Sequence, residues 1–165
     1  MDKISHDRLM LLHPKLRDEA LLIFAACEAT LTGRATIRIT QSLRTVAEQN
    51  ELYAQGRTKP GPIVTNARGL YSNHNFGCAL DFTLIIDNKI VSWDIARDWD
   101  NDRKADWMEV VAIFQKHGWS WGGSWSTFKD YPHFEKLLGY KTSDLRIKYR
   151  KGDTFIDNGH IYVNL

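Results

Sequence analysis

The stretch Ser72-Asn73-His74-Asn75-Phe76-Gly77-Cys78-Ala79-Leu80-Asp81-Phe82 sets a histidine six residues ahead of an aspartate that interrupts an apolar run. Cys78 to Ile86 predicts a strand, Asp87-Asn88 a turn, and Lys89 to Trp93 its hairpin partner. On such a strand Ala79, Asp81 and Thr83 share one face, while Cys78, Leu80, Phe82 and Leu84 share the other. Asp81 therefore sits among small neighbours, with room for a metal; a capped, hydrogen-bonded aspartate fits the same place. Downstream, Asp130-Tyr131-Pro132-His133-Phe134-Glu135 offers a second histidine with a carboxylate three residues ahead of it. Two histidines and one carboxylate are a common ligand set for a catalytic zinc with an open fourth position. Asp130 is then left over to act as a base.

Working outward, a short helix is expected over Asp7 to Leu12, capped by Ser5 and ended by Pro14. A longer helix follows from Lys15, with Leu16, Ala20, Ile23, Phe24 and Cys27 at helical spacing and Gly33 just past its end. Ala35 to Thr40 reads as a strand. Thr45 opens another helix, with Glu48 completing a capping box and Gly56 as the stop. Gln41 to Arg44 is thus a strand-to-helix junction that can aim a polar side chain into a cleft. Residues 57–73 form a loop long enough to suggest function.

The acidic run Asp98 to Asp106 leads into a helix over Lys104 to His117, striped by Trp107, Val110, Val111 and Phe114 and ended by Gly118. Trp119 to Trp125 is a glycine- and tryptophan-rich loop, and Tyr131 to Glu135 a short edge strand. From about Leu145 the tail reads as a β-hairpin: Lys148 to Phe155, a turn at Asp157-Asn158-Gly159, then His160 to Leu165. Neither a repeat nor a linker divides the chain. Residues 1–165 are read as one domain, with 140–165 a C-terminal hairpin-like extension. The fold class is α+β, a small antiparallel sheet carrying the metal ligands and flanked by helices.

With 165 residues, 43% hydrophobic and 25% charged, the composition is that of a soluble globular domain. Lys and Arg number 22 against 20 Asp and Glu, a net charge of +2 that makes no case for a nucleic-acid partner. The pI near 8.5 leans mildly toward anionic partners such as a cell-wall polymer. Cys27 and Cys78 have neither metal nor redox spacing and are read as reduced, buried thiols. The N-terminus lacks a secretory pattern and no apolar run suffices for a membrane span. The expectation is a monomer made in the cytoplasm. The histidines His6, His13, His117 and His160 fall at helix ends or in a turn, where capping and solvation account for them. Asp98-x-Asp100-x-Asp102 alternates carboxylates that could hold calcium, but it lacks the glycine and distal glutamate of an EF-hand loop; a solvated acidic helix start competes with that reading.

Three segments occur in order: Gln41-Ser42-Leu43-Arg44-Thr45, Ser72-x-His74-x-x-Gly77-x-Ala79-x-Asp81, and Trp121-Gly122-Gly123-x-Trp125-x-x-Phe128-x-Asp130-x-Pro132-His133-Phe134. Together they resemble the zinc peptidases of the D-alanyl-D-alanine carboxypeptidase group, the M15 family, with a Hedgehog/D-Ala-D-Ala peptidase-like fold. The phage endolysins that cleave the L-alanyl-D-glutamate bond of peptidoglycan look most similar. The resemblance runs from about Thr40 to Glu135; Ser124 stands where many relatives carry an aspartate, so it receives no role.

The resemblance implies that His74, Asp81 and His133 bind one zinc ion. It makes Asp130 the base that takes a proton from water and passes it to the leaving amine. Arg44 would hydrogen-bond the carbonyl oxygen as it gains charge, its rival reading being a surface ion pair. Ser72 would contact substrate, or only cap a local turn. Trp121 and Trp125 could wall the cleft or pack beside the glycine turn. The activity implied is hydrolysis of the L-Ala-D-Glu bond of bacterial peptidoglycan during phage or prophage lysis, on the wall after release from the cytoplasm. A D,D- or L,D-carboxypeptidase is the rival within the class, and a zinc-bearing wall-binding module without turnover the rival outside it.

Overall fold

In the computed structural model, which describes residues 1–165, the strand β2 (Ala79–Ile86) is the axis of the sheet. Strand β1 (Ala35–Gln41) pairs antiparallel along one edge of it. On the other edge β3 (Ile90–Ser92) pairs with its far end and β5 (His133–Glu135) with its start, and β4 (Ser120–Trp121) adds to β5. Asp87 and Asn88, at φ +51° and +57°, make the β2–β3 turn.

One sheet face is apolar because strand residues alternate. Leu80, Phe82 and Leu84 of β2, Ile37 and Ile39 of β1 and Phe134 of β5 all point into one core of 25 residues. Two helices cover that face: α2 (Pro14–Thr30), through Leu16, Ala20, Ile23, Phe24 and Cys27, and α4 (Asp106–Lys116), through Trp107, Val110, Val111 and Phe114. Phe82 lies 4.2 Å from the Trp107 ring and 5.4 Å from Phe134. Such aromatic pairs add stabilisation beyond area burial. Both cysteines are buried and unbonded. No helix is long and apolar enough to cross a membrane.

Helix α3 (Val46–Ala54) begins with the expected capping box of Thr45 and Glu48. Other boundaries differ. Helix α1 spans Lys3–Met10 and is capped by Asp2 rather than Ser5. The Ser5 hydroxyl instead accepts from the Ile39 amide at 3.1 Å, tying α1 to β1. Pro14 does not end a helix but opens α2, where its missing N–H costs nothing.

The largest departure is in the tail. Thr142–Arg150 forms helix α5, which overlaps the strand expected from Lys148. Leu145 buries into the core and Tyr149 meets Phe76 edge-on at 6.4 Å, while Ile147 between them is exposed; a strand would put all three on one face, and a helix turns Ile147 away. The hairpin is real but shorter: β6 (Thr154–Asp157) and β7 (His160–Val163), with Asn158 and Gly159 left-handed between them. His13 fastens it, its Nδ1 accepting from the Lys15 amide and its Nε2–H donating to the Val163 carbonyl at 3.0 Å.

Candidate active site

Backbone pairing brings the metal-ligand candidates together. Asp81 is the β2 residue that faces Gln41 on one side and His133 on the other, so the sheet itself sets the aspartate beside the second histidine. His74 sits in a short 3-10 turn, Asn73–Phe76, closed by Gly77 at φ +67°. A side chain on Gly77 would be strained there and its Cβ would stand 2.7 Å from the His13 amide nitrogen. The glycine of the motif is thus needed to turn the histidine under β2.

The three donor atoms converge. His74 Nε2 lies 3.2 Å from His133 Nδ1 and 3.3 Å from an Asp81 carboxylate oxygen, which is 3.1 Å from His133 Nδ1. Zinc with tetrahedral bonds of about 2.0–2.1 Å needs ligand atoms about 3.3 Å apart. The outer ring nitrogens fix the tautomers: His74 Nδ1–H donates to the Ser42 carbonyl at 2.7 Å, and His133 Nε2–H donates to Glu135 at 3.1 Å. Both inner nitrogens then face a carboxylate oxygen and are the ring atoms left to a metal. Three acceptors aimed at one point call for a cation or a proton, and the residues present fit zinc. Burial alone would push the His133 imidazole down, but Asp81 and Glu135 on either side hold it up at about 9. Burial opposes ionisation of Asp81, yet the two imidazoles keep its carboxyl well below the usual range.

Around this point runs a cleft of ≈ 570 Å³ lined by Arg44, Ser72, Asp130 and Trp125 along with the ligands. Asp130 is half-buried, and burial, then the Asp81 charge, raises its carboxyl above the ordinary value. That moves a base toward neutral pH, where it works best. Its loop is held by Gly122, whose carbonyl accepts the Asp130 amide at 3.1 Å; a Cβ on Gly122 would stand 2.4 Å from the Asp130 carbonyl oxygen. Arg44 follows β1, as the junction predicted. One guanidinium nitrogen donates to Gln49 at 2.7 Å and another lies 3.9 Å from Asp81. It is therefore part of the site and not a surface ion pair.

Ser72 lines the cleft and makes no side-chain cap hydrogen bond. The Trp125 ring centroid lies 5.2 Å from that of His133. Trp121 is elsewhere: its indole N–H donates to the Tyr131 carbonyl at 2.7 Å and its ring packs under Gly123, so it braces the loop and does not face the cleft.

The calcium reading of Asp98, Asp100 and Asp102 is corrected. Asp98 accepts from the amides of Asn101 and Arg103, Asp100 from Asp102 and the Thr32 hydroxyl, and Asp102 from Lys104. These carboxylates satisfy their own turn, and the side chain that joins Asp98 and Asp100 is Asp106 rather than Asp102.

Several site residues escaped the sequence reading. Glu135 accepts from His133 and from Asn73, the latter at 2.8 Å. Gln49 holds Arg44 while its own amide reaches the Ala67 carbonyl at 2.6 Å. Tyr71, Trp93 and Phe128 complete the cleft wall. Glu135 was discoverable, since two residues along a strand share a face; Asn73 and Gln49 carry no such signal.

Two imidazoles and a carboxylate around one point, with a carboxyl base and a guanidinium in the same cleft, define a metal-dependent hydrolase. The comparisons narrow this. The sequence model of an M15 peptidase family with the description D-alanyl-D-alanine carboxypeptidase matches residues 65–136. The peptidoglycan L-alanyl-D-glutamate endopeptidase CwlK of Bacillus subtilis (strain 168) is 46% identical over 126 residues, 76% of this chain and 74% of that protein. The crystal structure of the Serratia marcescens L-Ala D-Glu endopeptidase ChiX matches with a TM-score of 0.58 at 24% identity, covering 84% of this chain and 90% of that one, which is a likeness of fold. The chain belongs to the M15 peptidase family.

Proposed function

We propose that this protein is a zinc-dependent peptidoglycan peptidase that hydrolyses the L-alanyl-D-glutamyl bond of the stem peptide. The observation that carries the reading is the meeting of three metal-ligating atoms 3.1–3.3 Å apart in a cleft that also holds Asp130 and Arg44. The 46% identity to CwlK supports the choice of bond. The substrate places the reaction on the wall side of the membrane.

The chemistry expected of zinc in such a site is Lewis acidity, toward a carbonyl oxygen and toward a water whose pKa falls to about 7. Asp130 takes the proton from the attacking water and gives it to the leaving amine. The guanidinium of Arg44, held by Gln49, hydrogen-bonds the carbonyl oxygen as its charge grows. Ser42 and Glu135 take the outer ring protons of His74 and His133, which turns the inner nitrogen of each ring toward the centre. Trp125 and Ser72 line the path of the peptide.

Purified muropeptides incubated with the protein test this. A new amino terminus on D-glutamate is the expected product. Release of free D-alanine would transfer the reading to the carboxypeptidase named in the family description, and intact muropeptides would leave the wall-binding module.

A further inference from the structure

The tail helix places charge on a residue of the cleft wall. Tyr71 lines the cleft next to Ser72. Its hydroxyl meets a guanidinium nitrogen of Arg68 at 3.0 Å, and the Arg68 guanidinium carbon lies 4.6 Å from the ring centroid. The Arg146 guanidinium carbon, from α5, lies 4.2 Å from the same centroid, and Arg150 follows one helical turn on along α5. Arg17, Arg34, Arg38 and Arg44 each find a carboxylate, but none pairs with Arg68, Arg146 or Arg150. No acidic residue occurs anywhere between Glu51 and Asp81, so the loop beneath the cluster supplies no counter-charge.

Two guanidinium groups on one aromatic ring, with a third one helical turn away, repel one another, and the ring's quadrupole offsets only part of this. An anion seated among them would relieve the rest, and planar guanidinium groups match a carboxylate best. Resting on the function proposed above, the substrate provides one: whichever carboxyl of the glutamyl residue continues the peptide, the other is free. We infer that Arg68, Arg146 and Arg150, grouped about Tyr71 of the cleft wall, form a subsite for the free carboxylate of the D-glutamyl residue. The α5 contribution lies outside the span shared with the family model, residues 65–136. The tail then has a role in choosing substrate as well as in closing the core.

Three L-Ala-γ-D-Glu-Lys peptides, N-acetylated on alanine, supply the test: one with both carboxyls free, one with the glutamyl α-carboxyl as its carboxamide, one with the carboxamide at the C-terminus only. The unaltered protein should favour the free acid over the glutamyl amide by tenfold or more, chiefly through KM. The Arg146→Ala/Arg150→Ala pair should reduce that ratio to within twofold, while Arg146→Lys/Arg150→Lys, which keeps the charge and the fold, retains most of it. A merely structural role for the cluster would lower activity on all three peptides alike and leave the ratio standing, which overturns the subsite. So would a preference that follows the C-terminal carboxylate. Failure of the unaltered protein to cleave any of the three would overturn the endopeptidase reading itself, and the subsite with it.

Discussion

Replacing Glu135 by alanine tests whether the zinc site is built from its outer partners inward. Glu135 takes the His133 Nε2 proton at 3.1 Å and an Asn73 amide proton at 2.8 Å. Without it, His133 loses the acceptor that points its Nδ1 at His74 and Asp81. Loss of such an outer carboxylate weakens metal binding by about 10–100-fold, or about 1.4–2.8 kcal/mol. A second effect runs the other way. In the metal-free protein His133 keeps a proton up to about 9, held there by Asp81 and Glu135 against the effect of burial. Below that pH one proton must leave when zinc binds, so the affinity of the unaltered protein should climb about tenfold per pH unit between 7 and 9. Glu135→Ala relaxes the competition while it weakens the site, so the loss should be largest near pH 9 and the climb with pH flatter. Glu135→Gln can place its amide oxygen where the carboxylate accepts both bonds, and should lose less. Titration with a competing chromophoric zinc chelator at several pH values measures all three. Equal affinity and equal slope in Glu135→Ala would refute the positioning role.

Three further changes probe the rest. Asp130→Asn should lower kcat by about 10²–10⁴-fold with zinc stoichiometry unchanged, since it removes the base and no ligand; muropeptide turnover and metal analysis read the two separately. Because the Asp130 carboxyl is raised by burial and by Asp81, it stays protonated and inactive to a higher pH than an ordinary aspartate, so kcat/KM at saturating zinc should rise through that pH and flatten above it. Arg44→Ala should cost about 10²–10³-fold in kcat, as loss of an oxyanion donor does, with a smaller change in KM. Phe82→Ala removes the ring between Trp107 and Phe134 and should cost about 3–5 kcal/mol in urea unfolding, whereas exposed Ile156→Ala should cost little.

How much of this was legible beforehand depends on whether a residue's partner lies near it in sequence. The capping box at Thr45 and the alternation of β2 are local signals, and both stand in the structure. The motif residues His74, Asp81, Asp130 and His133 were legible because residue type and spacing both pointed to one chemistry. For Trp121 composition leaves two places open, the cleft wall and packing beside the glycine turn, and the structure has the second. Its actual partners, Gly123 and the Tyr131 carbonyl, depend on the path of the loop, which composition does not specify. The tail failed for a related reason. Lys148 to Phe155 looks extended when read with the hairpin after it, and only the burial of Leu145 and the Tyr149–Phe76 contact, with Ile147 exposed between them, show the helical period. Gln49 and Asn73 were invisible because their partners, Arg44 and Glu135, are aligned by tertiary structure.

The sheet explains why a site drawn from three distant segments can be ready before metal arrives. Asp81 is paired on both edges of β2, to Gln41 and to His133. The first pairing carries the chain on to Ser42, whose carbonyl orients His74, and to Arg44, whose amide bonds to the His74 carbonyl at 3.0 Å. The second delivers His133, with Glu135 two residues further along the same strand. Every ligand is therefore positioned by backbone hydrogen bonds that the apolar face of the same strands, through Leu80, Phe82 and Phe134, would enforce without zinc. The cost of that arrangement is three acceptors facing each other, which a proton relieves in the metal-free protein and zinc relieves better. Fold stability and metal affinity are coupled through β2, and a core change such as Phe82→Ala should loosen zinc binding as well as lower stability, even though it touches no ligand.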